Sequence, residues 1–436
     1  MAIPASSVPA ASAATAAAAP GEAPRYTSAL SAVTTLFFLW GFITSLNDIL
    51  IPYLKAIFQL NYTQANLINL CFFGAYFLMS IPAGKLVARL GYKRGMLLGF
   101  GVAALGAFLF YPAAAQRIYP LFLGALFVLA SGITLLQVAA NPYVAILGPP
   151  QSASARLTLT QAFNSVGTTL GPVLGSAFLL SRLPALSNAT TAATIDVRAV
   201  QLPYLVIGGM LLFISLLLSR VNLPQVAPAE DAATGGARES AWQYRHLLLG
   251  VLGIFAYVGA EVAIGSHLVS YFGRDGLNLG LTPEAAGQRV GYYWGGAMVG
   301  RFAGAYLLNK FRPGKLLAFN AVGAVALILF SISTRGELAM WSLLAVGLMN
   351  SIMWPVIFPL ALAGLGRHTE VGSGLLCTAV VGGALVPVLF GAVADGPGLR
   401  WALLLPVLCY AYIGWYGLRG SRPVAAGAPA PVPVAV

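Results

Sequence analysis

Twelve largely apolar stretches, each about 20 residues or longer, follow one another along this chain, parted by short segments rich in basic, proline and glycine residues. A run of that length crosses the ~30 Å hydrocarbon core of a bilayer as one helix. In lipid the backbone must satisfy its own hydrogen bonds, so only helices and closed barrels span it. Barrel strands alternate apolar and polar residues over segments of about 10, whereas these runs are continuous. The pattern therefore predicts an all-α membrane protein. The composition agrees, with 58% of residues hydrophobic and 8% charged.

Six spans are expected over residues 30–58, 64–88, 95–115, 120–147, 155–180 and 201–220, and six more over 245–272, 283–310, 312–334, 338–364, 370–393 and 400–418. Between the two sets lies NLPQVAPAEDAATGGARESAWQ, the longest polar, breaker-rich stretch away from the termini. The expected organisation is a disordered tail over 1–25, an N-terminal half over 26–221, a linker over 222–243, a C-terminal half over 244–419 and a second tail over 420–436. With the N-terminus inside, 15 of the 24 Lys and Arg residues fall on the cytoplasmic side and 8 outside, with Arg301 inside a span. The positive-inside rule thus puts both termini and the linker in the cytoplasm.

The net charge of +12 is spread singly over loops and forms no basic face, so no nucleic-acid partner is read from it. Cys71, Cys377 and Cys409 sit in apolar runs without paired spacing, which suggests neither disulfides nor a metal site. No phosphate-binding glycine loop and no Ser/His/Asp arrangement is present, so neither enzyme chemistry nor a cofactor is expected.

The first span, LFFLWGFITSLNDILIPYL over 36–54, carries Asn47 and Asp48 in its apolar interior. A charge at the bilayer centre costs at least ~2.5–3.5 kcal/mol, so such residues face a bundle interior or a water-filled cavity and handle ions, protons or substrate. A weak repeat extends the point. LLQVAANP in the fourth span matches LMNSIMWP in the tenth, so Gln137 corresponds to Asn350 and Pro142 to Pro355, both at an offset of 213. The same offset carries Asp48 onto Glu261, giving each half one carboxylate in its first helix. Repeated halves with a site between them near the midplane are a plan used by many secondary transporters.

The stretches LFFLWGFITSLNDILIP, FYPAAA, QVAANPYVAILGPP and RLTLTQAFNSVGTTLGPVLG together resemble the major facilitator superfamily and, within it, the fucose, glucose and galactose sugar:proton symporters. The likeness covers nearly the whole chain outside the tails. GKLVARLGYKR is similar to the superfamily's cytoplasmic loop motif, with Ala88 where aspartate is usual. The resemblance implies the major facilitator fold of 12 transmembrane helices in two six-helix halves. It makes Asp48 the proton carrier, puts Asn141, Gln161 and Asn164 at the substrate, and gives Gly84, Arg89, Gly91, Lys93 and Arg94 gating or structural roles. Arg301 resembles the second-half counterpart of that loop, which places it in a structural or gating role near the cytoplasmic side. In the fucose branch the residue four before Asn141 is glutamate, where Gln137 stands here, and Glu261 stands where that branch has glutamine. The YVGAE pattern around Glu261 is closer to the glucose/galactose branch.

The implied function is secondary active transport: proton-coupled symport of a hexose of glucose/galactose type across a bacterial inner (plasma) membrane by alternating access. L-fucose, N-acetylglucosamine and sodium coupling are the alternatives, and a non-transporting membrane sugar sensor is the remote one. The expected partners are a small sugar, a proton or sodium ion, and membrane lipid, with the chain acting as a monomer.

The residues themselves support this without deciding it. Gln161 and Asn164 share one helical stripe, and Gln137 and Asn141 another. Such stripes either tie helices together through hydrogen bonds or line a cavity, where amides offer donors and acceptors that suit hydroxyls. Asn47, Gln137, Asn141, Gln161, Asn164, Glu261, Asn350, Tyr76, Tyr292 and Trp354 are the candidate substrate contacts, and Asp48 and Glu261 the candidate coupling groups. Whether Glu261 serves coupling or substrate stays open at this stage.

Overall fold

Backbone carbonyls left without partners in lipid would cost several kcal/mol each, and every long apolar run accordingly closes its hydrogen bonds as helix. The computed structural model describes residues 26–57, 62–178, 198–224, 240–273, 277 and 279–423; the side chains at 46–57, 62–66, 69, 172–178, 198–200 and 283–284 lie outside the description. The first half comprises α1 (Thr27–Ile57), α2 (Tyr62–Leu90), α3 (Tyr92–Gln116), α4 (Tyr119–Ile146), α5 (Ala153–Phe178) and α6 (Arg198–Arg220). The second opens with α7 (Arg245–Phe272), α8 (Pro283–Leu307) and α9 (Pro313–Ser333). Its last three spans are each broken: α10 (Gly336–Asn350) with α11 (Met353–Leu362), α12 (Thr369–Thr378) with α13 (Gly382–Asp395), and α14 (Leu399–Ala402) with α15 (Leu404–Trp415). Twelve spans result, as expected.

Among the described residues, ten of the twelve are long and apolar enough to cross a membrane by composition alone. The two that are not are α5 and α8, which carry Arg156, Gln161, Asn164 and Ser165 on one and Gln288, Arg289 and Arg301 on the other. These helices pack on each other where the halves meet. Gln161 and Asn164 of α5 and Arg301 of α8 line the cavity between the halves, while α8 keeps an exposed face of large apolar side chains such as Val299 and Tyr306.

The repeat has a backbone consequence. A proline inside a helix donates nothing to the carbonyl four residues earlier, so Pro142 frees the Val138 carbonyl and Pro355 frees that of Ser351. Both are taken by side chains. Ser373 Oγ donates to Val138 O at 2.9 Å, crossing between halves, and Arg301 Nε donates to Ser351 O at 3.3 Å. Two prolines at equivalent repeat positions thus create equivalent acceptors, one used between halves and one within a half.

The seam of α1 with α5 depends on absent side chains. A Cβ on Gly41 would run into the Asn164 carbonyl, and one on Gly167 into the Phe38 carbonyl. Small residues permit such backbone approach in membrane bundles, where helix association draws on packing rather than on hydrophobic burial. Gly167→Val should therefore lower thermal stability in detergent, by about 1–3 kcal/mol of overpacking. A variant that melts with the wild type would show that this seam yields easily.

Elsewhere arginines close helix ends. Arg156 donates to the Ala145 carbonyl at 2.6 Å and to that of Pro149 at 2.9 Å, securing the turn between α4 and α5. Arg400 donates to the Ile332 carbonyl at the end of α9. The loop motif resolves into separate tasks. Gly91 joins α2 to α3 at φ 81°, a left-handed turn that favours glycine. Lys93 donates to the Ser219 carbonyl at 3.0 Å at the end of α6. Arg89 and Arg94 are exposed. A Cβ on Gly84 would meet the Glu370 carbonyl at 2.7 Å, so α2 and α12 touch across the halves there. That contact, the Ser373–Val138 bond and the packing of Gly304 on Thr158 and Ile352 join the halves between mid-membrane and the end where α1 begins.

Candidate functional site

Where the two halves meet, a cavity of about 210 Å³ is lined by Trp40, Gln137, Gln161 and Asn164 from the first half and by Tyr257, Val258, Glu261, Arg301, Trp354, Pro355 and Val380 from the second. Five of the ten sequence-read substrate contacts, Gln137, Gln161, Asn164, Glu261 and Trp354, are therefore in one wall.

Each polar group is held from behind. Gln137 Nε2 donates to the Tyr76 hydroxyl on α2 at 2.7 Å. Asn164 Nδ2 donates to the Phe37 carbonyl on α1 at 2.8 Å. Gln161 Nε2 lies 3.4 Å from Asn141 Oδ1, a long bond, and Asn141 itself is fully buried. On α7, Tyr257 and Glu261 are one turn apart and share a face, and the Tyr257 hydroxyl donates to Glu261 Oε1 at 2.8 Å. An ionised carboxylate accepts at both oxygens, so Glu261 keeps capacity toward the cavity.

The second half repeats the amide–tyrosine arrangement of the first. Asn350, the repeat mate of Gln137, donates through Nδ2 to the Tyr293 hydroxyl on α8 at 2.7 Å, as Gln137 does to Tyr76 on α2. Tyr293 Oη in turn donates to the Glu261 carbonyl at 3.3 Å. Asn350 and Tyr76 thus stand behind the wall rather than in it.

Two sequence readings need revision. Tyr292 is 60% exposed and packs on Trp341 at the outer face of the bundle, at 5.4 Å between ring centroids. Its neighbour Tyr293 turns inward and is wholly buried, since one residue rotates a helix by ~100°. Arg301 departs from its expected place near the cytoplasmic end: its guanidinium lines the cavity, with Nη1 donating to Ser165 Oγ on α5. The proline-freed carbonyl of Ser351 accounts for this by giving Nε a buried acceptor. Asn47 and Asp48 fall within helical α1, but their side chains lie outside the described residues.

Tyr257 and Trp40 complete the wall although sequence reasoning had not selected them for the site. Tyr257 could have been found from its spacing to Glu261. Trp40 Nε1 is buried without a partner among the described residues. Taken together, the cavity offers amides, one carboxylate, one guanidinium and two indole rings, a set suited to a small neutral ligand rich in hydroxyls and bearing an apolar face.

Two six-helix halves with a polar cavity at their junction define a secondary transporter. Comparison with known proteins agrees: residues 33–380 match the Major Facilitator Superfamily model. The chain is 56% identical over 397 residues to a glucose/galactose transporter of Brucella abortus, covering 91% of this chain and 95% of the relative. It is 35% identical over 416 residues to the L-fucose-proton symporter of Escherichia coli, covering 90% and 93%. Among solved structures, the superfamily transporter FucP in the outward conformation superposes with a TM-score of 0.83 at 34% identity, over 91% of this chain and 99% of that one. The chain belongs to the major facilitator superfamily, within the family of fucose, glucose and galactose symporters.

Proposed function

We propose that the chain carries a hexose of glucose/galactose type into a bacterial cell together with a proton. The observation that carries this reading is the cavity itself, which Gln137, Gln161 and Asn164 of one half line together with Glu261 of the other and two indole rings. A sugar ring stacks its C–H face on Trp40 or Trp354, donates hydroxyl hydrogens to Glu261, and accepts from the amides. The names of the relatives, a glucose/galactose transporter and a fucose-proton symporter, support the substrate class and the coupling ion. By the positive-inside reading the end where α1 begins is cytoplasmic, so the contacts joining the halves there seal the inner side and the cavity serves the outer one. The two halves complete the transport unit, and the protein acts as a monomer in the inner membrane.

Transport proceeds by alternating access. Sugar enters from outside, Asp48 takes a proton, the inner contacts between Gly84 and Glu370 and between Ser373 and Val138 part, and both cargoes leave inward. The test is uptake of a panel of labelled sugars into proteoliposomes under an imposed pH or sodium gradient. Accumulation of glucose or galactose driven by an inward proton gradient is expected. Uptake confined to L-fucose or N-acetylglucosamine would replace the substrate, and uptake that follows sodium alone would replace the ion.

A further inference from the structure

Arg301 is the feature of the cavity that the transport cycle above leaves without a task. Its side chain is divided between the halves: Nε is anchored on the Ser351 carbonyl of its own half, the acceptor freed by Pro355, while Nη1 reaches Ser165 Oγ of the other. Other side-chain hydrogen bonds between the halves are Ser373 to Val138 O, Thr169 to Met298 Sδ and, at the end where α1 begins, the Tyr92 hydroxyl with the Glu370 carboxyl group. Among these, Arg301 to Ser165 is the bond in which a guanidinium of the cavity reaches across.

Rocking of the halves must break such a link or carry it along. A guanidinium left short of acceptors inside a membrane is costly, and in the same cavity wall stands one acceptor that moves with Arg301 as part of its own half: the Glu261 carboxylate, engaged at one oxygen by Tyr257. We propose that Arg301 is a two-position positioning residue, bonded to Ser165 while the inner side is closed and transferred to Glu261 when the halves rotate. The Ser351 carbonyl is the pivot, because the Nε bond is internal to the half and persists through the motion. The proposal rests on the transporter reading and gives it a device: a ligand hydroxyl on Glu261 competes with Arg301 for the carboxylate, so ligand occupancy and the partner chosen by Arg301 are linked.

The consequence is a pair of opposite effects that a merely structural role would not produce. Spin labels at Ala88 and Arg312, exposed positions on the two halves at the end where α1 begins, would report inner-side separation by pulsed electron resonance in full-length protein whose natural cysteines have been replaced. Without sugar or gradient, Ser165→Ala should raise the ratio of separated to closed inner ends by roughly tenfold, the scale of one hydrogen bond to a charged group. Ser165→Thr, which keeps the hydroxyl, should restore it. Glu261→Gln, which removes the charge Arg301 would move to, should lower the ratio. Shifts in the same direction for Ser165→Ala and Glu261→Gln, or no shift in either, would overturn the proposal. So would failure of Ser165→Thr to restore the closed population. Should Ser165→Ala not fold, an unchanged or raised ratio in Glu261→Gln would overturn it alone. These distances involve neither sugar nor coupling ion, so their outcome is separate from that of the uptake panel.

Discussion

Asp48→Asn is expected to abolish accumulation of sugar against a gradient while leaving sugar exchange across the membrane intact. A charged carboxylate carried through the closed intermediate of a membrane bundle bears a penalty of at least ~2.5–3.5 kcal/mol; a protonated one is neutral and avoids it. On the proposed function a proton on Asp48 would permit the loaded carrier to reorient, and its release inside would prevent return with the same cargo. Asparagine imitates the protonated form permanently, so the variant should reorient with sugar but no longer bind the driving ion. The check is paired: counterflow in proteoliposomes near the wild-type rate, and no concentrative uptake under an inward proton gradient. Concentrative uptake at the wild-type level by Asp48→Asn would remove Asp48 from the coupling route.

Glu261→Gln should weaken sugar binding by roughly ten- to a hundredfold, the range for losing a hydrogen bond to a charged partner. Uptake driven by a proton gradient at saturating sugar should persist. The substitution preserves shape and leaves an amide oxygen for the Tyr257 hydroxyl, which lies 2.8 Å from Oε1 in the parent. What is lost is the charge that makes a hydroxyl–carboxylate bond short and strong. Isothermal calorimetry gives the affinity and gradient-driven uptake gives the coupling. A variant that binds sugar normally but no longer couples would move Glu261 from the sugar to the proton pathway. The two substitutions therefore separate the roles of carboxylates that occupy equivalent repeat positions.

Much of this architecture was legible beforehand because lipid imposes a simple rule. Apolar runs of span length become spans, and all twelve did. Residues too polar for lipid had to face inward, which is why Gln137, Gln161, Asn164 and Glu261 were found together in one wall. The same logic failed for residues that tolerate both environments. Tyr292 and Tyr293 are adjacent and chemically identical, and an aromatic ring is as acceptable facing lipid as facing protein, so only the rotation of α8 separates the exposed ring from the buried one. Arg301 was misplaced for a different reason. Its position depends on a carbonyl freed by Pro355, 54 residues further on, and on Ser165 in the other half, relations that come from how the halves dock rather than from local pattern.

The polarity of α5 and α8 has a consequence during biosynthesis. A nascent helix is admitted sideways into the bilayer according to its own apolarity, and lysine, arginine or aspartate near its centre opposes entry. Among the described residues, neither α5, with Gln161, Asn164 and Ser165 in its interior, nor α8, with Arg301, passes on that count. The partner of α5 precedes it in the chain, α1, whose Phe37 carbonyl takes the Asn164 amide, whereas the Ser351 carbonyl that takes Arg301 Nε follows α8 and is still to be made when α8 emerges. The same side chains that line the cavity thus make the entry of these two helices depend on neighbours, and substitutions at Asn164 or Arg301 should be read first in the yield of inserted protein.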